Sequence, residues 1–152
     1  MAQYGHLHQH KSLAYTALKN RIKKNEGFSN KPYRDILGHL TIGHGHLIKK
    51  KETFLKKSKF TKKYFNSLFN SDFNVALKNY NNNIFKAHHS HKDKELLIEM
   101  IFQLGTKNVL RFKKMILNLN QKKKHMVAFE MMNSLWYKQT PKRVESLIKN
   151  YL

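Results

Sequence analysis

Cysteine is absent from the 152 residues, which excludes a disulfide framework, cysteine-based zinc sites and thiol nucleophiles. Acid is scarce as well: 9 Asp and Glu stand against 30 Lys and Arg, a formal charge of +21. Solubility needs far less, and the excess implies attraction to a polyanion or an anionic surface, whether nucleic acid, membrane or cell wall. Long apolar runs are missing too. The opening Met-Ala-Gln-Tyr-Gly-His-Leu-His-Gln-His-Lys lacks the continuous hydrophobic stretch of a signal peptide or membrane anchor, so neither an export signal nor a transmembrane segment is expected. A chain of this length can bury a real interior without metal or disulfide, as one domain or as two small lobes sharing a core.

Residues 1–12 carry His6, His8 and His10 in a polar setting with no core pattern. They are expected to form a disordered tail ahead of a single domain over 13–152, and no metal is assigned to them. From Leu13 to Lys24 the apolar positions Leu13, Ala14, Ala17, Leu18 and Ile22 recur at helical spacing, and Gly27 is suited to end that helix just after Glu26. Between Tyr33 and Ile48 the apolar residues are interrupted by Gly38, Gly43 and Gly45, a pattern of short strands and tight turns that predicts a small antiparallel sheet. Lys49 to Lys63 holds eight lysines and reads as a solvated connecting loop.

Thr61 is placed to cap a long helix carrying Tyr64, Phe65, Leu68, Phe69, Phe73, Val75, Ala76 and Tyr80, which Asn81-Asn82-Asn83 is expected to stop. Leu96, Leu97, Met100, Ile101 and Leu104 predict an amphipathic helix ending at Gly105. Further helices are expected over about Val109–Leu119, Lys122–Leu135 and Pro141–Tyr151. The fold class is therefore α+β, mostly α. A small β-containing lobe (about 25–60), a connecting helix (about 61–80) and a helical lobe (about 81–152, with the first helix 13–24) would enclose a ligand cleft.

Glycoside hydrolysis needs an acid to protonate the departing oxygen and a second polar group to handle water or positive charge at the sugar. Glu26, Asp35 and Thr41 are the right residue types, in the stretch where helix gives way to glycine-rich sheet. Taken alone, Glu26 and Asp35 read rather as a capping carboxylate and a turn aspartate. The longer pattern is more specific: Asn25-Glu26-Gly27, Tyr33-Arg34-Asp35, then Leu40-Thr41-Ile42-Gly43-His44-Gly45-His46-Leu47. It resembles the phage-type lysozyme (endolysin, muramidase) family, particularly its T-even members. Thr61 to Asp72, Met100 to Gly105, and Trp136-Tyr137-Lys138-Gln139-Thr140-Pro141 with Arg143 resemble that family in the same order, so the likeness runs over about Leu18 to Leu152.

The resemblance implies a lysozyme-like two-lobe fold. It also implies a glycosidase cutting the β-1,4 bond between N-acetylmuramic acid and N-acetylglucosamine in peptidoglycan, with inversion and without a cofactor. Glu26 matches the family's general acid, and Asp35 with Thr41 would position the water on the opposite face of the sugar. Leu47, Phe102 and Gln103 match its substrate-binding residues. His46 and Asp72 match a structural pair, in keeping with a buried histidine held by a carboxylate. Trp136 and Tyr137 read as core.

The sequence also departs from the family. The stretch between Leu47 and Thr61 is shorter, the chain stops soon after Arg143, and two cleft positions are occupied by Met115 and Glu130. The chain is expected to act as a monomer on glycan strands, with non-specific attraction to polyanions, and to wait in a host cytoplasm until released to the wall by lysis. Two alternatives remain at this point: a lysozyme-like domain that binds the wall without cutting it, and a basic nucleic-acid binder suggested by the charge and by Phe54, Phe60, Tyr64 and Phe65. The trio Glu26, Asp35 and Thr41 argues against the first; the lack of any recognition motif argues against the second.

Overall fold

The computed structural model describes residues 15–57 and 59–152; the histidines at 6, 8 and 10 and the expected tail lie outside them. Two compact units divide the chain, Met1–Asn74 and Val75–Leu152. The fold is α+β, a small antiparallel sheet near the N-terminus followed by helices, as the sequence predicts.

Helix α1 (Thr16–Glu26) buries Leu18 and Ile22, four residues apart on one face. It runs two residues past the expected Lys24, because Gly27 at φ +72° turns the chain while its N–H still bonds the Lys23 carbonyl. Three strands follow, β1 (Ser29–Arg34), β2 (Leu40–Gly43) and β3 (His46–Leu47), antiparallel in the order β1-β2-β3. Strand β1 starts ahead of the expected Tyr33. Its register is broken between Ser29 and Tyr33, an interval containing Pro32, which has no N–H for the ladder.

The lysine-rich stretch is more than a solvated loop, and this corrects the reading from charge. Lys50–Lys56 forms a 3₁₀ turn in which the Glu52 side chain accepts the Lys49 N–H, and Leu55 is fully buried. Leu55 packs in a cluster with Ile42 and Phe65, and Ile48, Phe60, Tyr64 and Leu68 pack around them. One leucine among the lysines is enough to dock the segment, since burying it removes all of its apolar surface from water.

Helix α2 (Lys62–Asn83) begins where expected, with Thr61 Oγ1 accepting the Tyr64 N–H at 3.1 Å. Phe65, Phe69, Phe73, Ala76 and Tyr80 are buried at steps of three and four, whereas Val75 is exposed. The three asparagines do not stop it; they form its last turn, with Asn83 Nδ2 donating to the Asn79 carbonyl.

In the second unit α3 (His91–Leu104) starts earlier than its apolar pattern. Ser90 and Asp93 cap it reciprocally: Ser90 Oγ accepts the Asp93 N–H (3.1 Å) and Asp93 Oδ2 accepts the Ser90 N–H (2.9 Å). Asp93 is buried and also takes Lys122 Nζ at 2.7 Å and the Tyr151 hydroxyl at 3.1 Å. One carboxylate thus ties α3 to the turn after α5, at Lys122, and to Tyr151 near the C-terminus. The stretch expected as one helix over Val109–Leu119 is two, α4 (Thr106–Val109) and α5 (Lys113–Asn120). Phe112 between them leaves helical geometry (ψ 56°) and sets its ring edge-on against Trp136. Then come α6 (Lys124–Met132), α7 (Leu135–Gln139) and α8 (Pro141–Tyr151), the last beginning on its proline. Trp136 is core and Tyr137 half-buried.

Removing the α3 cap isolates the value of that reciprocal bond. Ser90→Ala is expected to cost about 1 kcal/mol, read as a lower urea midpoint at unchanged slope.

Candidate active site

Glu26 is the last residue of α1 and Gly45 lies in the turn between β2 and β3. The carboxylate rests against that turn so closely that a Cβ on Gly45, already at φ +75°, would stand 2.6 Å from Glu26 Oε2. Glycine is thus required there twice, for the left-handed backbone and for the approach of the acid. His44 in the same turn holds it to the exit of α1: its Nδ1 lies 3.2 Å from the Gly27 carbonyl, and its ring contacts Phe28 and Phe69. Burial, with Lys23 and Lys62 nearby, holds the His44 pKa below its usual value despite the Gly27 bond, so a neutral imidazole donates to that carbonyl.

Asp35 opens the β1–β2 hairpin. Its Oδ1 accepts the N–H of Leu37 (2.9 Å) and of His39 (2.8 Å), fixing the hairpin tip. Its Oδ2 faces His39 Nδ1 at 3.5 Å. Thr41 is buried, and its hydroxyl donates to the His39 carbonyl at 2.9 Å. With its hydrogen committed, Thr41 Oγ1 meets any further partner as an acceptor.

Tyr33 stands on β1. It is the cross-strand partner of Thr41, so the two side chains share a face. Burial raises the pKa of its phenol, and the charges of Glu26 and of Asp35 raise it further. Leu47 is also opposite Thr41 and half-exposed. Phe102 and Gln103 belong to α3 in the second unit, both half-buried, and Gln103 Oε1 is a buried oxygen with no hydrogen-bond partner among the described residues. Met115 is core there and Glu130 half-buried.

His46 and Asp72 do meet, Nδ1 to Oδ2 at 2.7 Å. The sequence pattern missed the third member: Glu52 brings both its oxygens to His46 Nε2, at 3.0 and 3.1 Å. Burial pushes the His46 pKa down, but the bonds and charges of Asp72 and Glu52 more than offset it and leave it raised. Glu52 is held below the carboxylate range, burial being outweighed by the Lys49 N–H and by His46. Both ring nitrogens donate, so the histidine is an imidazolium between two carboxylates.

Comparison with known proteins identifies the family. The family model described as phage lysozyme matches residues 23–150. The chain belongs to the phage lysozyme family. Two relatives from Dictyostelium discoideum, described as probable T4-type lysozymes 2 and 1, are each 32% identical over 157 residues, covering 88% of this chain and 92% of the relative. Membership makes the chain a glycoside hydrolase, and the matched span takes in Glu26, Asp35 and Thr41 as well as α3 to α8. Among the described residues no helix is long and apolar enough to cross a membrane.

The contacts that sequence reading overlooked are short-range polar ones. Glu52, His39 and Tyr33 lie six, two and eight positions from the residues they serve, and only strand register and the 3₁₀ turn bring them to bear. Glu52 had one available signal, being the sole acid among eight lysines in Lys49 to Lys63.

The His46 arrangement gives a pH-dependent prediction. A histidine with a raised folded pKa contributes stability that is fully present below its unfolded pKa, about 6.5, and is lost as pH rises through the folded value. His46→Ala should therefore lower the melting temperature markedly at mildly acidic pH, by about 3 kcal/mol in stability, and less above the raised folded pKa. Thermal melts across that range test it; an equal loss at every pH would contradict the charged triad.

Proposed function

We propose that the chain hydrolyses the β-1,4 bond between N-acetylmuramic acid and N-acetylglucosamine in bacterial peptidoglycan, with inversion at the anomeric carbon. The observation that carries this reading is the seat of Glu26 against the Gly45 turn of the same sheet that carries Asp35 at its β1–β2 hairpin and Thr41 on β2.

Glu26 is the general acid and delivers its proton to the departing glycosidic oxygen. Asp35 spends Oδ1 on two backbone amides, which leaves Oδ2 facing outward to His39 and to a water. That water donates one hydrogen to Asp35 Oδ2 and one to Thr41 Oγ1, whose own hydrogen goes to the His39 carbonyl. Its lone pair is then directed at the sugar, on the face opposite the acid, which is the inverting geometry. Leu47, Phe102 and Gln103 are the proposed glycan contacts, and the unpartnered Gln103 oxygen suits an amide or hydroxyl donor of the sugar. The surface charge of +21 draws the enzyme to anionic wall polymers, and it acts as a monomer. A wall-degrading role does not depend on a bacteriophage origin, and the two relatives come from Dictyostelium discoideum. A phage lysis role, with storage in a host cytoplasm, thus rests on the family resemblance alone.

Release of new reducing ends from purified peptidoglycan is the direct assay. Glu26→Gln, folded by circular dichroism, should lose activity by about 10²–10⁴-fold; a wild type that binds wall but releases no reducing ends would replace this reading with a non-cutting domain. Gly45→Ala moves the acid without removing it and should cut turnover by about 10–100-fold. Turnover equal to wild type would show that the close approach of Glu26 to the turn is unimportant.

A further inference from the structure

Helix α6 buries one apolar face and exposes another. Its inner face, Val127, Ala128 and Met131, is buried, as packing requires. Its outer face carries Met126, Phe129 and Met132, exposed at 44, 52 and 46%, and Leu135 at the start of α7 is 68% exposed. Lys124, His125 and Glu130 share the helix, and clustered exposed apolar side chains beside them mark an interaction surface.

The surroundings say what kind. Between Arg111 and Gln139 there are seven lysines and arginines and one acid, Glu130. Arg111, Lys113 and Lys114, all exposed, are brought beside this helix by an open cavity of about 380 Å³ that they line together with Glu130, Asn133 and Ser134. Lys123 is exposed at the helix N-terminus and Lys138 in α7. A second copy is a poor occupant, since each brings a charge of +21 and the cations would face each other. A soluble polyanion would satisfy the lysines and leave the methionines and phenylalanine in water. An anionic bilayer satisfies both, with apolar side chains at the headgroup–acyl boundary and cations among the headgroups.

We propose that the outer face of α6, with the cations around it, is a docking surface for anionic phospholipid membranes. The neighbouring cavity is also lined by Met115 and Glu130, the two cleft positions at which the chain departs from its family. Met126, Phe129 and Met132, in contrast, are none of the groups assigned to hydrolysis, so exchanging them tests the surface apart from that reading.

The test is flotation of the purified full chain with phosphatidylcholine vesicles, with and without phosphatidylglycerol. Wild type is expected to float only with the anionic vesicles and to keep part of that binding in high salt. Met126→Ser, Phe129→Ser and Met132→Ser combined should weaken partitioning by about tenfold or more, with the far-ultraviolet spectrum and wall hydrolysis unchanged. Phe129→Ser alone, at one half-exposed position, should give part of that loss and guards against misfolding of the triple variant. Equal binding by wild type and variants, complete loss of wild-type binding in salt, or no vesicle binding at all would overturn the proposal. A concentration-dependent dimer abolished by the triple variant would overturn it in favour of self-association.

Discussion

One imidazolium holds the first unit together. His46 is almost wholly buried, sits on the shortest strand, and joins three elements through two carboxylates: Asp72 from α2, Glu52 from the 3₁₀ turn, and its own β3. A two-residue strand has little ladder of its own to stabilise it, and a three-stranded sheet this small is marginal without tertiary support. The Asp72 and Glu52 bonds anchor it to the long helix, while Leu55 and Phe65 close the apolar side beneath. Because a buried charge is costly unless paired and hydrogen-bonded, neither carboxylate can be lost without stranding the histidine. The turn between β2 and β3, and with it the seat of Glu26, depends on where this strand lies.

Packing continues that logic. Gly43 and Gly45 flank His44 in the same turn, and each has something pressed against it. A Cβ at Gly43 would meet the Phe65 ring at 2.8 Å, and one at Gly45 would meet the Glu26 carboxylate. Apolar core therefore abuts one end of the turn and candidate chemistry the other, with His44 clamped between Gly27, Phe28 and Phe69. The second unit uses a comparable device, a single buried carboxylate, Asp93, taking up an N-cap, a lysine and a tyrosine hydroxyl.

What was legible in the sequence follows from range. The helical period identified α1, α2, α3 and α8, and glycine spacing identified the sheet, because these are local signals. Thr61 and Pro141 marked helix starts for reasons internal to a turn. The reading failed where tertiary contact overrode local character. Leu55 docks a segment that its lysines made look solvated, Phe112 leaves the helix to reach Trp136, and the polar asparagines 81–83 stay helical. In the site, Glu26, Asp35, Thr41, His46 and Asp72 were picked out by motif, while Glu52, His39 and Tyr33 emerged only once strand register placed them beside those groups.

The two oxygens of Asp35 have different employers. Oδ1 serves the backbone, accepting from Leu37 and His39, and Oδ2 looks outward to His39 Nδ1. An asparagine carbonyl can accept the same two amides, though less strongly than a carboxylate, so the hairpin can keep its shape without the negative charge. On the proposed chemistry, Asp35→Asn would keep the shape of the tip and discard the reactivity. Binder and cutter thus lie a single side-chain atom apart on this scaffold, and a change of role need leave no trace in the fold.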